Sequence, residues 1–210
     1  MIDIINKIYE DHKDIKYAWR DKNGEIHNHI SEGYVQKFRM QEPEEVLENN
    51  CGNCWETVEL TRHLLKQNKI PCKTYFFVIP MHKFYCHSIA VAEYNNKFYW
   101  IENSFRQLKG VREYNTLDEL FNHLLDNFHY VVNSDNVKYN TIKIYEYKKP
   151  PKHIGCVKFY YYCFRSENIT NPYIPNYIKS IEDKNQKWYN YFNIIRMWYY
   201  ETISSRRRKT

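Results

Sequence analysis

The chain has 210 residues, of which 43% are hydrophobic and 27% charged, and a formal net charge of +6 at pH 7. This composition is typical of a folded protein of one or two domains and excludes disorder along the whole length. Aromatic residues reach 18% and only 5 glycines are present, which excludes collagen-like, low-complexity and linker-dominated proteins.

The N-terminal segment predicts neither an export signal nor a membrane anchor. Asp3, Asn6 and Lys7 interrupt the apolar stretch Met1–Ile8, so it lacks the continuous apolar centre of a secretory signal. No run approaches the roughly 18 apolar residues of a membrane span. We expect a cytoplasmic protein that makes no contact with a membrane. Its six cysteines are then free thiols, metal ligands or catalytic groups rather than disulfide partners.

The basic character of the chain belongs to its C-terminal part. Residues 151–210 contain 11 Lys and Arg against 4 Asp and Glu. The change coincides with Pro150 and Pro151, where the backbone is expected to be extended. The sequence therefore predicts a domain over residues 1–150 and a basic, aromatic-rich extension over residues 151–210 that packs on it.

Helical patterns come first in the chain. Apolar residues recur at helical spacing from Ile2 and predict a helix that ends before the turn at Asp21–Gly24. Pro43 suits the first position of a second helix. The two glutamates that follow it favour the positive end of the helix dipole. A third helix is predicted over Cys54–Gln67.

Strand patterns dominate after residue 70. Runs rich in β-branched and aromatic residues predict strands over Lys73–Ile79, Ser88–Tyr94, Lys97–Asn103, Ile142–Tyr147 and Lys158–Phe164. Thr116 and Glu119 predict a capped helix start, and aromatic residues predict an amphipathic helix over Asp183–Ile203. Helices followed by antiparallel strands indicate an α+β fold rather than alternating β-α-β units.

Cys54 stands at the predicted start of the third helix. Asn53 is a good helix cap, and Glu56 is placed to return the cap hydrogen bond. A thiol at this position is close to the positive end of the helix dipole, which lowers its pKa and favours the thiolate. The N–H groups of the first turn also offer a place for a developing oxyanion.

His87 and Glu102 are predicted to meet on neighbouring strands. Asn95 and Asn96 suit a two-residue hairpin turn. If Tyr94 pairs with Lys97, then His87 and Glu102 are diagonal neighbours on one face, about 7 Å apart at their backbones. A one-residue slip would place them on opposite faces. A thiol, an imidazole and a carboxylate are the parts of an activated-nucleophile site.

The order of these residues resembles the transglutaminase-like superfamily of papain-like thiol enzymes, most closely its small microbial and phage-type members. The resemblance covers roughly Tyr17 to Phe128 and rests on Gly52-x-Cys54-Trp55-Glu56, Val58-Glu59-Leu60-x-Arg62, the strand after Ile70-Pro71, His87, and Phe98-Tyr99-Trp100-Ile101-Glu102.

The resemblance implies a papain-like fold in which N-terminal helices pack on an antiparallel sheet. It assigns Cys54 as nucleophile, His87 as base and Glu102 as orienting acid. Better-known members carry Asp at the acid position, so the longer Glu102 side chain changes the reach. We expect Trp55 and Trp100 to form walls of the substrate cleft, with packing in the core as the alternative.

The expected reaction is hydrolysis of an amide or peptide bond in a protein or peptide substrate, through a thioester on Cys54. Transamidation of glutamine is the first alternative, and an interaction protein that keeps the fold without catalysis is another. No metal or organic cofactor is required. Cysteine alkylation across pH distinguishes a thiolate-forming Cys54 from an inert buried thiol.

Two features allow other interpretations. Cys51 and Cys54 form a C-x-x-C pair that is typical of zinc or thiol–disulfide redox sites, although only Cys72, Cys86 and His87 are available as loosely spaced further ligands. The basic tail Arg206–Lys209, with the aromatic residues of the extension, allows binding of nucleic acid or another acidic partner.

Overall fold

A six-stranded antiparallel sheet organises the chain. The computed structural model describes residues 2–28, 33–79, 85–127 and 142–169. The sheet has the strand order β10-β9-β5-β6-β7-β8. Its strands are β5 (Cys72–Ile79), β6 (Tyr85–Tyr94), β7 (Lys97–Glu102), β8 (Gly110–Tyr114), β9 (Lys143–Tyr147) and β10 (Glu167–Ile169).

Helices and short strands surround this sheet. The helices are α1 (Ile2–His12), α2 (Tyr34–Lys37), α3 (Pro43–Asn49), α4 (Cys54–Gln67), α5 (Leu117–Asp126) and α6 (Cys156–Phe164). Two small ribbons join β1 (Lys16–Tyr17) to β4 (Cys51–Gly52), and β2 (Trp19–Arg20) to β3 (Ile26–His27). The predicted α+β class is therefore confirmed.

Side chains that alternate in direction along the strands separate two hydrophobic cores. Phe76 and Val78 of β5 pack with α4 and α6 in one core cluster, whereas Tyr75 and Phe77 pack with α5 in another. Successive side chains of a strand point to opposite faces, so one strand contributes to both layers. The sheet is thus covered by helices on its two faces.

The C-terminal part of the described chain belongs to the same core and sheet. Trp55 of α4 stacks on Phe159 of α6 with 4.3 Å between ring centroids, and β10 pairs antiparallel with β9. Residues 151–169 therefore pack directly on the remainder of the fold. The predicted helix Asp183–Ile203 and the basic tail lie outside the described residues.

One element prediction is wrong. The run Lys158–Phe164 is part of helix α6, because Cys156, Phe159, Tyr160 and Cys163 are buried on one face at helical spacing. The first helix ends at His12, which is before Asp21 as predicted. The chain becomes extended there because Lys16 and Tyr17 pair in parallel with Cys51 and Gly52.

Other local predictions are confirmed. Helix α4 ends at Gln67 as expected, and Thr116 accepts the N–H of Glu119 at 3.1 Å at the start of α5. The Glu119 carboxylate returns to the N–H of Asn115 at 2.9 Å rather than to that of Thr116. Within the described residues, no helix combines the length and the apolar character needed to cross a bilayer.

Replacing Phe159 with alanine is expected to lower the free energy of unfolding by about 3–5 kcal/mol, since it removes a fully buried aromatic ring. Urea denaturation measures the change. Tyr161 lies on the same helix with 37% of its surface exposed, so Tyr161→Ala serves as the control and is expected to cost less than about 1 kcal/mol. Equal effects of the two substitutions would contradict the core position of α6.

Candidate functional site

A capping box holds Cys54 at the first position of α4. Asn53 Oδ1 accepts the N–H groups of Trp55 at 2.9 Å and Glu56 at 3.2 Å. Glu56 returns the bond by accepting the Asn53 N–H at 2.9 Å, and its other carboxylate oxygen accepts the Gln41 N–H at 2.8 Å. The predicted cap is confirmed, and the fully buried Glu56 ties it to the segment before α3.

The cap changes the expected oxyanion contacts. Two N–H groups of the first turn, those of Trp55 and Glu56, are bound to Asn53 Oδ1 and are not available to an incoming ligand. Asn53 also donates its side-chain N–H to the Tyr34 hydroxyl at 3.0 Å. Another donor must therefore stabilise negative charge near Cys54 if the thiol attacks a carbonyl.

His87 and Glu102 meet as the predicted register requires. Tyr94 pairs with Lys97 in the β6–β7 hairpin, and the ring nitrogen Nε2 of His87 lies 2.7 Å from Glu102 Oε2. The other oxygen of Glu102 accepts the N–H groups of Ser104 at 2.7 Å and Phe105 at 3.0 Å. Both carboxylate oxygens of Glu102 are thus hydrogen-bonded. The bonds to Ser104 and Phe105 orient the oxygen that faces His87.

The thiol of Cys54 approaches His87 at the end of the hairpin. Pairing between β6 and β7 ends at Ala90 and Ile101. Beyond this point, the Cys54 thiol interacts with the backbone N–H of Ser88 and with the His87 side chain. Ring nitrogen Nδ1 of His87 is buried and forms no hydrogen bond with any described residue. The imidazole therefore bonds the carboxylate through Nε2 and interacts electrostatically with the thiol.

Burial controls the protonation of this group. Burial raises the pKa of the Cys54 thiol, and the interaction with His87 opposes this effect without reversing it. Burial lowers the pKa of His87, but Glu102 and then Cys54 outweigh it and raise the pKa to about 9. The expected lowering of the Cys54 pKa is therefore wrong for this closed conformation, because desolvation outweighs the interactions with His87 and Ser88 that lower the pKa.

Tyr17 is a site residue that the sequence analysis missed. Pairing of β1 with β4 places Tyr17 opposite Gly52, and its hydroxyl interacts electrostatically with the Cys54 thiol. Burial of the hydroxyl end raises the pKa of Tyr17 well above its ordinary value, while 45% of the residue surface stays exposed. No local signal identifies Tyr17, because its contact depends on pairing between distant segments.

A buried polar network lies next to Glu102 in the chain and begins at Asn103. Asn103 points away from His87, as expected, and its side-chain nitrogen lies 2.7 Å from Nε2 of His12. The same His12 nitrogen lies 3.1 Å from the Thr61 hydroxyl. Burial lowers the pKa of His12 to about 4, so the ring is neutral at pH 7. This network links α1, α4 and the residue that follows Glu102.

Trp55 and Trp100 lie in the core. Trp55 is 2% exposed and contacts Phe38, Phe159 and Tyr160. Trp100 is fully buried in the core cluster on the α5 side of the sheet, with the Arg112 guanidinium 5.4 Å from its ring centroid. Packing accounts for these positions, and a role of either residue in substrate binding stays a prediction.

The C-x-x-C pair does not form a metal site in the described part of the chain. All six cysteines are free, and neither Cys51 nor Cys54 belongs to a described group of three or more potential metal ligands. Cys51 instead accepts a hydrogen bond from the Gln41 side chain through its carbonyl at 3.1 Å. These contacts favour a structural role for Cys51.

Comparisons of the chain with protein-family models, with curated proteins and with solved structures find no match. The interpretation of this site rests on its own geometry.

The rate at which iodoacetamide alkylates Cys54 is expected to rise only at a higher pH than for an ordinary thiol, because burial raises the pKa of Cys54. In His87→Gln the midpoint is expected to move to higher pH, because burial raises the thiol pKa with no imidazolium to oppose it. Mass spectrometry of the Cys54 peptide measures the rate.

Cys72 provides an internal control for this experiment. It is half-buried and belongs to the start of β5, so its alkylation profile should be the same in both proteins. A Cys54 profile that is also unchanged by His87→Gln would contradict the coupling of thiol and imidazole.

Proposed function

We propose that the chain is a cysteine-dependent amide hydrolase with a papain-like, transglutaminase-like fold, acting on a protein or peptide substrate. The observation that supports this proposal is the position of one imidazole. His87 bonds Glu102 at 2.7 Å through Nε2 and interacts with the Cys54 thiol. A nucleophile, a base and an orienting acid in contact form the arrangement that activates a thiol.

The reaction requires neutral His87, which in the closed conformation forms only near pH 9 because its pKa is raised. The Cys54 proton then passes to His87 as sulfur attacks the substrate carbonyl carbon. The C–N bond then breaks, the leaving nitrogen takes the proton from His87, and a thioester remains on Cys54. Water resolves the thioester by the reverse proton path and releases a carboxylic acid. Glu102 orients the imidazole throughout and favours its charged form.

The donor for the oxyanion is the Tyr17 hydroxyl in this proposal. The nearby helix N–H groups of Trp55 and Glu56 are already used by Asn53, whereas the Tyr17 hydroxyl interacts electrostatically with the thiol. Its raised pKa keeps it protonated, so it remains a donor. A phenol beside the attacking sulfur is placed where charge develops in the transition state.

Substrate access requires a change from the closed conformation. Cys54 is 6% exposed, Glu102 is 2% exposed and His87 is fully buried. Tyr17 is the exposed member of the group, with 45% of its residue surface accessible. The closed site also favours one alternative, an interaction protein that keeps the fold without turnover.

Transamidation is the second enzymatic candidate, because an amine can resolve the same thioester in place of water. Exclusion of water from the site would favour the amine, and the low exposure of the three residues is the observation in its support. Release of free acid in water, compared with incorporation of a primary amine into the substrate, distinguishes the two reactions.

An acidic partner is proposed for the basic C-terminal region. Its described part borders a cavity of about 800 Å³, and no residue of the Cys54 site lines this cavity. The cationic residues on its walls are Arg39, Lys148, Lys152, Lys158 and Arg165. Such binding is expected to weaken as ionic strength rises, and measurement of affinity at two salt concentrations tests it.

Incubation of the protein with a glutamine-containing peptide library is expected to add an acyl group to Cys54, detectable by mass spectrometry of the intact protein and its digest. Cys54→Ala is expected to abolish the adduct, and Glu102→Gln to reduce its rate at least about tenfold by releasing the imidazole. Cys72→Ser is the matched control and should leave the rate unchanged. If no adduct forms on Cys54, the interaction-protein alternative is favoured.

Tyr17→Phe is expected to lower kcat by about 10²-fold, the usual effect of removing one oxyanion donor. The substitution deletes a hydroxyl on a half-exposed side chain, so the midpoint of thermal unfolding should stay within about 2 °C. Steady-state kinetics of wild type and variant measure the effect. An unchanged or increased kcat would show that Tyr17 covers the thiol without assisting the reaction.

A further inference from the structure

The β2–β3 hairpin contains a group of polar residues outside the Cys54 site. Its turn is stabilised by Asp21, whose Oδ1 accepts the N–H groups of Asn23 at 2.8 Å and Glu25 at 3.1 Å. The turn therefore uses only one oxygen of this carboxylate. The second oxygen, Oδ2, is directed at His27 across the hairpin.

Three potential ligand atoms converge here. Asp21 Oδ2 lies 3.5 Å from His27 Nε2, and Glu25 Oε2 lies 3.9 Å from the same nitrogen. All three atoms lie within 4.8 Å of one another. These separations are longer than ordinary hydrogen bonds but are close to those between two atoms bound to one metal ion.

The buried atoms of this group lack hydrogen-bond partners. The Asp21 side chain is fully buried, and neither Asp21 Oδ2 nor His27 Nε2 has a hydrogen-bond partner within the described residues. No described Lys or Arg forms an ion pair with Asp21 or Glu25. Buried polar atoms are normally satisfied, and an unpaired carboxylate oxygen is costly. A bound cation would satisfy both atoms at once.

We propose that Asp21, Glu25 and His27 bind a divalent transition-metal ion, with zinc as the best match. Zinc binds imidazole nitrogen and carboxylate oxygen at about 2.0–2.2 Å, so adjacent ligands of a tetrahedral site are about 3.4 Å apart. The Asp21–His27 separation fits this value. The Glu25 side chain is 70% exposed and can close the remaining gap, which leaves the fourth position to water.

The ion would stabilise the packing of the β2–β3 hairpin near the start of α4, the helix that carries Cys54. His27 stacks on Trp19 with 4.2 Å between ring centroids, and Trp19 packs edge-on against Tyr34 at 5.0 Å. Tyr34 in turn accepts the hydrogen bond from Asn53, the cap of α4. The proposed metal therefore acts as a structural ion, and this role does not depend on catalysis by Cys54.

The main alternative is an ion pair between protonated His27 and the two carboxylates, which needs no metal. The two explanations differ in a measurable way, because the ion pair binds no cobalt or zinc. Thiolates are also potential ligands for these metals, so the experiment must identify the ligand type.

The test uses the full-length protein, stripped of metal with a chelator under reducing conditions and titrated with Co²⁺. We expect one equivalent to bind with the weak visible bands of nitrogen and oxygen ligands and without the intense thiolate charge-transfer band. Zinc should displace the cobalt. A hundredfold excess of zinc over Kd should raise the folding equilibrium constant about a hundredfold, seen as a higher midpoint of thermal unfolding.

Variants connect this binding to the hairpin. Glu25→Gln and His27→Gln are expected to weaken cobalt binding at least about tenfold, and Glu25 is exposed, so its variant keeps the fold. His63→Gln is the matched control. His63 lies at the surface, 3.7 Å from Glu44, and its substitution should leave cobalt affinity unchanged. Absence of saturable binding, a thiolate spectrum, or equal affinity in Glu25→Gln and wild type would each overturn the proposal.

Discussion

The two-residue turn at Asn95 and Asn96 determines the geometry on which the candidate site depends. Both residues adopt positive φ, 50° and 58°, which is the conformation that matches the twist of a tight hairpin. This turn sets the pairing of Tyr94 with Lys97, and the pairing in turn brings His87 and Glu102 to one face. A slip by one residue would separate imidazole and carboxylate, so a local backbone preference controls a contact at the opposite end of the hairpin.

The thiol reaches this hairpin because α4 is held at two points. Its start is tied by Asn53 and Glu56 to the segments before it. Its first turn is anchored by Trp55, which stacks on Phe159 of α6. Helix α6 therefore helps to position the candidate nucleophile. Segments from the beginning, middle and end of the described chain meet around a single helix terminus.

Burial has opposing consequences at this site. It strengthens the interaction of His87 with Glu102, since charges interact more strongly away from water, and it raises the pKa of the Cys54 thiol. A closed site thus holds its geometry but keeps the nucleophile protonated. Tyr17, which is 45% exposed, interacts with this buried thiol.

The sequence by itself determined the features that depend on a few neighbouring residues. The cap at Asn53 and Glu56, the turn at Asn95 and Asn96, and the resulting contact of His87 with Glu102 follow from capping, turn and alternation rules that act over short distances. The tertiary structure decided the rest. The aromatic run in α6 is helical because its buried face packs under α4, and Tyr17 joins the site through a parallel pairing with Gly52. Such contacts depend on packing between segments far apart in the chain, which local preferences do not specify.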